Sequence, residues 1–282
     1  MAEGKEAYCV VLRKQADFFP FQELAALLSE ALGVPVPDAA AGLRRNWGLL
    51  FRTGEIGRGE ALREKLAAAG VGVAVVAASR LRPLPPLKII RKISLSGEGM
   101  VAWTGHGAAD CAGQTEIPWR AFESTLLCAG SYTEEEATGE AEAAKSGPGL
   151  SDIVKAAAIT IATGMPPLGK LKPSREKTEA PAGRRKQGSY LDIISAAGQG
   201  EKISAFRICG ESFDYSCLGK RKEYSSVLNF RKLAADLLSY LPRAIKNRGA
   251  MALEKGPLSG AGFRYNGKEE YEAERFWLLQ LL

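Results

Sequence analysis

Two short stretches hold residue types that could do chemistry. Gly54-Glu55-Ile56-Gly57-Arg58-Gly59 follows a strand-like run and precedes a helix-like one. Glycines in that context let backbone N–H groups meet an anion at a helix N-terminus, so Gly54, Gly57, Arg58 and Gly59 form a candidate anion-binding loop. The spacing is not the G-x-G-x-x-G of a dinucleotide fingerprint, and Ser79 rather than an acidic residue closes the next strand. Glu55 and Glu60 would repel phosphate. A turn that opens a helix is the plainer reading. The second stretch is Gly105-His106-Gly107-Ala108-Ala109-Asp110-Cys111, which carries the only histidine of the chain. A cysteine and a histidine make a nucleophile when they lie within hydrogen-bond reach and a third group orients the base. This glycine-rich setting reads as an exposed loop and His106 as a surface histidine. Cys111 and Cys128 are too far apart in sequence for the close ligand spacing of a zinc site. No catalytic residue, metal ligand or cofactor is expected.

Residues that could bind are more numerous. Basic clusters recur at Arg44-Arg45 beside Trp47, at Arg80 and Arg82, at Lys220-Arg221-Lys222, and at Arg243, Lys246 and Arg248. Trp47 and Phe51 on one strand would suit base stacking, but the aromatic-and-glycine RNA signature is absent, and solvated faces account for most of these charges. A short segment, Asp152–Ile161, carries Ile153, Ala157 and Ile161. It reads either as a docking helix for a partner groove or as a helix packing on its own domain. Ile153, Ala157, Ile161, Arg44, Arg45 and Trp47 are the candidate partner-binding residues.

The composition sets the frame for these sites. Of 282 residues, 46% are apolar and 25% charged, with a net charge of +6, which is enough to build a core and too mild to name an anionic partner. The five cysteines are odd in number, widely spaced and without a CxxC, so they read as reduced thiols rather than a disulfide framework. The charged start leads directly into a strand, which is not the pattern of a secretory signal. The longest apolar run, near Ala156–Gly164, is far short of the ~20 residues that span a bilayer. A cytoplasmic chain without a transmembrane segment is expected.

The elements that must position the candidate residues follow from periodicity. Tyr8–Arg13, Trp47–Arg52 and Val71–Ala78 read as strands, and Val34–Pro37 as an edge strand because proline donates nothing to a ladder. Pro20 opens a helix with Leu24, Leu27, Leu28, Ala31 and Leu32, and Gly33 stops it. Glu60–Ala69 forms a second helix stopped by Gly70. That order is the split βαβ, ferredoxin-like βαββαβ pattern. Residues 81–87 form a proline-rich linker after a domain of residues 1–80. Residues 88–282 read as β-rich, with strands at Lys88–Ser96, Met100–Thr104, Glu116–Trp119, Ser124–Ser131, Tyr190–Ala196, Ile203–Ile208 and Phe213–Leu218. A polar stretch at 133–188, acidic then basic, reads as a disordered insertion. Ser226 caps a helix carrying Phe230, Leu233, Leu237 and Leu241, which Pro242 ends. A final helix runs from about Lys268, with Asn266 and Glu269 as a capping pair.

Antiparallel strands followed by one amphipathic helix, with Glu116-Ile117-Pro118-Trp119, Phe122 and Leu126-Leu127, resemble bacterial pleckstrin-homology-like (PH-like) domains. The resemblance covers 88–131 and 190–241. It implies a β-barrel or sheet with a C-terminal helix, and a tryptophan at a strand end that packs on the sheet. The family's phosphoinositide-binding members carry basic residues around the first hairpin loop. Here Ser96-Gly97-Glu98-Gly99 is short and acidic, and Lys88, Arg91 and Lys92 lie earlier, so the resemblance implies architecture rather than headgroup binding. The expected fold class is α+β, a ferredoxin-like domain followed by a PH-like one. The expected function is a non-enzymatic interaction or regulatory protein with a protein partner. The alternatives are a nucleic-acid-associated factor using the basic clusters and a nucleotide-binding enzyme using the Gly54–Gly59 loop.

Overall fold

A computed structural model describes residues 6–18, 20–104, 113–122, 124–135, 185–195, 204–256 and 260–282. The fold is α+β with two open sheets. Strand β1 (Tyr8–Leu12) is central in the first sheet, with β2 (Leu49–Thr53) and β3 (Val73–Ala77) antiparallel on either side. Its YCVVL run is buried from Cys9 to Leu12, as a strand covered on both faces must be. Helix α1 (Phe21–Leu32) follows Pro20 and buries Leu24, Ala25 and Leu28 at helical spacing. It stops at Gly33, whose φ of +67° is the left-handed region glycine enters freely.

The next segment departs from the expected edge strand. Residues 34–37 do not join the sheet; Val36–Asn46 is a helix, α2. Pro35 is its cap and Pro37 lies in its first turn, where a missing N–H costs nothing. The alanine-rich residues that follow favour helix and bury Ala39, Ala40 and Leu43. The order is therefore βααβαβ, with α2 in place of the expected second strand. Helix α3 (Ile56–Ala68) starts before the expected Glu60 and takes Gly57, Arg58 and Gly59 into its first turn.

The second sheet has seven strands in the order β10-β7-β8-β9-β4-β5-β6. These are β4 (Lys88–Leu95), β5 (Gly99–Thr104), β6 (Gly113–Pro118), β7 (Thr125–Glu135), β8 (Arg185–Ser195), β9 (Ser204–Cys209) and β10 (Ile245–Lys246). It is not a closed barrel: β6 and β10 are its edges, and β4/β9 and β7/β10 pair in parallel rather than antiparallel. Trp119 lies at the end of β6. Its indole N–H donates to the Ser96 carbonyl at 2.8 Å, and its ring stacks on Tyr240 at 4.4 Å. The outer ends of 133–188 are strand, since β7 reaches Glu135 and β8 begins at Arg185. The expected strand at Phe213–Leu218 is instead a pair of 3-10 turns, Tyr215–Arg221, capped by Asp214 and kinked at Gly219. Helices α4 (Ser226–Tyr240), α5 (Arg248–Glu254), α6 (Gly260–Phe263) and α7 (Lys268–Leu279) complete the chain.

Strand β7 explains how the layers connect. Its successive side chains alternate between faces. Leu126, Cys128 and Tyr132 enter one core cluster with Leu12, Leu24, Leu43 and the α7 residues Trp277, Leu278 and Leu279. Leu127 and Ala129 enter a second with Ile93, Phe206, Phe230, Leu233 and Leu237. Leu81, Leu84 and Leu87 of the proline-rich stretch pack against the first cluster. The described residues within 1–134 and 187–282 accordingly form one compact unit, undivided at 81–87.

Candidate functional site: an arginine-lined cleft

Where β1 ends, the chain at Arg13 is fixed by a hydrogen bond from its backbone N–H to the Gly72 carbonyl at 2.9 Å. Where β3 ends, the Ala78 N–H donates to the Ala7 carbonyl at 2.7 Å, and a 3-10 turn, Ala78–Arg80, redirects the chain. Arg82 follows, its backbone held by Gln280 just beyond α7. Its N–H donates to Gln280 Oε1 at 2.8 Å, and Gln280 Nε2 donates to its carbonyl at 3.0 Å. These anchors place Arg13, Arg80 and Arg82 around a cleft of about 300 Å³. Val11, Leu12, Ala74, Val76, Leu81, Leu281 and Gln280 complete its lining, which holds no acidic residue. All three arginines are exposed, and no ion pair among the described residues involves them. Three exposed arginines and several aliphatic residues thus share the lining of one open cleft.

The expected candidate residues fall elsewhere. Gly57, Arg58 and Gly59 are helical, and Gly54 and Glu55 form the lead-in, with the Thr53 hydroxyl accepting from the Glu55 N–H at 3.1 Å. Gly59 faces the sheet: a Cβ there would meet Val75 at 3.0 Å, so this glycine serves helix–sheet packing. Arg58 lines a smaller hollow of about 170 Å³ with Lys65 and Phe51. Arg44 and Arg45 are exposed on the last turn of α2, with Arg44 over the Phe21 ring at 5.1 Å. Trp47, expected at a partner-binding surface, is only 5% exposed. It stacks on Phe18 at 4.8 Å and lies under the Arg248 guanidinium at 5.1 Å, and its indole N–H has no hydrogen-bond partner among the described residues. Its φ of +52° is a strained conformation for a bulky residue, tolerated because this packing fixes it. His106, Cys111, Ile153, Ala157 and Ile161 lie outside the described residues.

Two buried polar networks escaped the sequence reading. Asp192 and Arg207 lie opposite each other in β8 and β9 and form a two-pronged ion pair at 2.7 and 2.8 Å, while Arg275 of α7 reaches the same carboxylate. Burial pushes the Asp192 carboxyl up, but hydrogen bonding and charge from the two guanidiniums outweigh it and hold it below the usual range. All three residues are less than a tenth exposed, which makes this a clamp between sheet and helix rather than an open site. In the second network, Glu274 accepts from the Arg248 N–H at 2.9 Å and the Tyr265 hydroxyl at 2.6 Å, and burial raises its carboxyl to about 7. Burial also pushes the thiols of Cys9, Cys128, Cys209 and Cys217 up from the usual thiol value, which favours the protonated form. No cluster of metal-ligating side chains occurs among the described residues. No single helix there is long and apolar enough to cross a membrane. No family model, curated protein or solved structure matches this chain.

Proposed function

We infer that this chain is a non-enzymatic binding protein that takes an acidic, aliphatic-bearing segment of a protein partner in the Arg13–Arg80–Arg82 cleft. The observation that carries the reading is the convergence of three arginines without a carboxylate counter-charge on an aliphatic floor. An acidic peptide meets both halves of that surface. A nucleic acid meets only the charged half, because no aromatic side chain lines the cleft for base stacking and Trp47 is committed to the core. The Gly54–Gly59 reading of a nucleotide enzyme loses support because Gly59 is spent on packing against Val75.

The test is fluorescence anisotropy on the full chain with two labelled probes of equal charge, a peptide alternating glutamate and leucine and a single-stranded oligonucleotide. The expected result is tighter binding of the peptide, and about tenfold loss when Arg13, Arg80 and Arg82 are all replaced by glutamine, as three rim ion pairs of up to ~1 kcal/mol each allow. Tighter oligonucleotide binding with a steep salt dependence would establish the nucleic-acid reading instead.

A further inference from the structure

At the start of α4 and just before it, the chain displays apolar side chains to solvent. Tyr224 is fully exposed, Val227 is 52% exposed and Leu228 45%. This is a built loop rather than a frayed one. Asn229, itself buried, closes a pair of hydrogen bonds on Glu223: its Oδ1 accepts from the Glu223 N–H at 2.6 Å and its Nδ2 donates to the Glu223 carbonyl at 2.8 Å. The Ser225 hydroxyl caps α4 by accepting from the Leu228 N–H. In a hydrophobic staple, the residue before the cap packs on the fourth helical residue. Here that fourth residue is Asn229, already engaged with Glu223, so the staple is not made and Tyr224 stands fully exposed.

The charge around this tip is one-sided. The Glu223 carboxylate is neutralised by Lys232 at 2.8 Å, and Asp236 by Arg221. Exposed Lys220 and Lys222 have no carboxylate partner among the described residues. The N-terminal end of the 15-residue helix α4 adds its partial positive charge at the same place. A tyrosine before the cap of α4, two aliphatic side chains in its first turn and two lysines just upstream match the aromatic-plus-basic makeup of protein segments that enter the headgroup zone of a bilayer. The apolar part is three side chains, well short of the ~800 Å² a side that a stable protein–protein contact buries.

We propose that the Tyr224–Val227–Leu228 tip, flanked by Lys220 and Lys222, is a peripheral membrane-docking site for anionic phospholipid. The lysines draw the tip to the surface and the apolar side chains enter the interface, while Glu223 and Asp236 are kept from repelling it by their own cations. The site shares no residue with the arginine cleft and does not depend on it.

The test is co-sedimentation of the full chain with vesicles of equal parts phosphatidylcholine and phosphatidylserine, against phosphatidylcholine alone. Binding to the anionic vesicles only is expected. It should fall about fivefold for each of Lys220→Gln and Lys222→Gln, and be lost in Tyr224→Ser/Val227→Ser/Leu228→Ser, with melting temperatures little changed because all three side chains are exposed. A Tyr224→Trp variant should show a blue-shifted, vesicle-dependent emission relative to the parent chain. Failure of the parent chain to sediment with anionic vesicles, or equal sedimentation of parent and triple-serine chains, would overturn the proposal. So would capture of an acidic protein through the tip in the absence of any vesicle binding.

Discussion

The Gln280 side chain pairs with the Arg82 backbone as a neighbouring strand would, accepting from its N–H at 2.8 Å and donating to its carbonyl at 3.0 Å. This contact fixes one wall of the arginine-lined cleft from a position 198 residues away in sequence. It also gives the glutamine a role distinct from that of the charges it positions. Gln280→Ala should weaken acidic-peptide binding several-fold while lowering the melting temperature by only a few degrees, because both hydrogen bonds are solvent-exposed and together contribute on the order of 1 kcal/mol. Peptide titration beside a thermal melt checks this.

The Asp192 clamp should behave oppositely, with a large stability effect. Asp192→Asn leaves the Arg207 and Arg275 guanidiniums buried without their shared counter-charge, which costs about 3–5 kcal/mol. Urea denaturation of the variant measures it. The loss should shift the midpoint strongly, with little dependence on salt.

Glu274 predicts a pH dependence. Its carboxyl is raised from 4.5 in the unfolded chain to about 7 in the fold. Between those values the folded state holds the proton that the unfolded state has released, so stability falls as pH rises from about 4.5 to 7 and levels off above. A shift of that size corresponds to about 3 kcal/mol. Asp192 has the opposite sign at lower pH: its folded value is depressed, so its contribution is present above 3.8 and is lost as pH falls through the folded value. Denaturation at a series of pH values should show the slope in the parent chain and its disappearance in Glu274→Gln.

Close approach rather than backbone freedom governs Gly48. A Cβ at that position would lie 2.0 Å from the indole of Trp277, which is fully buried and donates to the Leu12 carbonyl. Gly48→Ala should therefore cost about 1–3 kcal/mol or more from overpacking. Gly33→Ala, with open space but φ +67°, should cost about 1–2 kcal/mol from backbone strain alone. Paired melts of the two variants separate the mechanisms, and near-UV circular dichroism should change only for Gly48→Ala.

The legible parts of the fold were those with local causes. The apolar run at Tyr8–Leu12, the Pro20 and Gly33 boundaries of α1, and the Phe230–Leu233–Leu237 face of α4 are each written within a few residues. Val34–Pro37 misled because proline is equally at home on an edge strand and in the first turn of a helix. The choice was made by the alanines after it, and by burial of Leu43 against a core that local sequence does not show. Strand β7 concealed the connection of the layers: a continuous apolar run says that both faces are covered, not by what. Of the candidate site, Arg80 and Arg82 were visible as a basic cluster. Their convergence with Arg13 and Gln280 depends on contacts across most of the chain. The Asp192–Arg207 pair left a signal, opposite charges inside two apolar strand-like runs close in sequence, from which cross-strand pairing was deducible.

Calorimetric titration of the glutamate–leucine peptide into the parent chain and into Arg13→Gln/Arg80→Gln/Arg82→Gln tests the cleft most directly. The expected result is saturable binding by the parent chain, about tenfold weaker binding by the triple variant, and matched melting temperatures. Equal affinity in the two proteins, or no heat with either, would contradict the assignment of the cleft as the binding site.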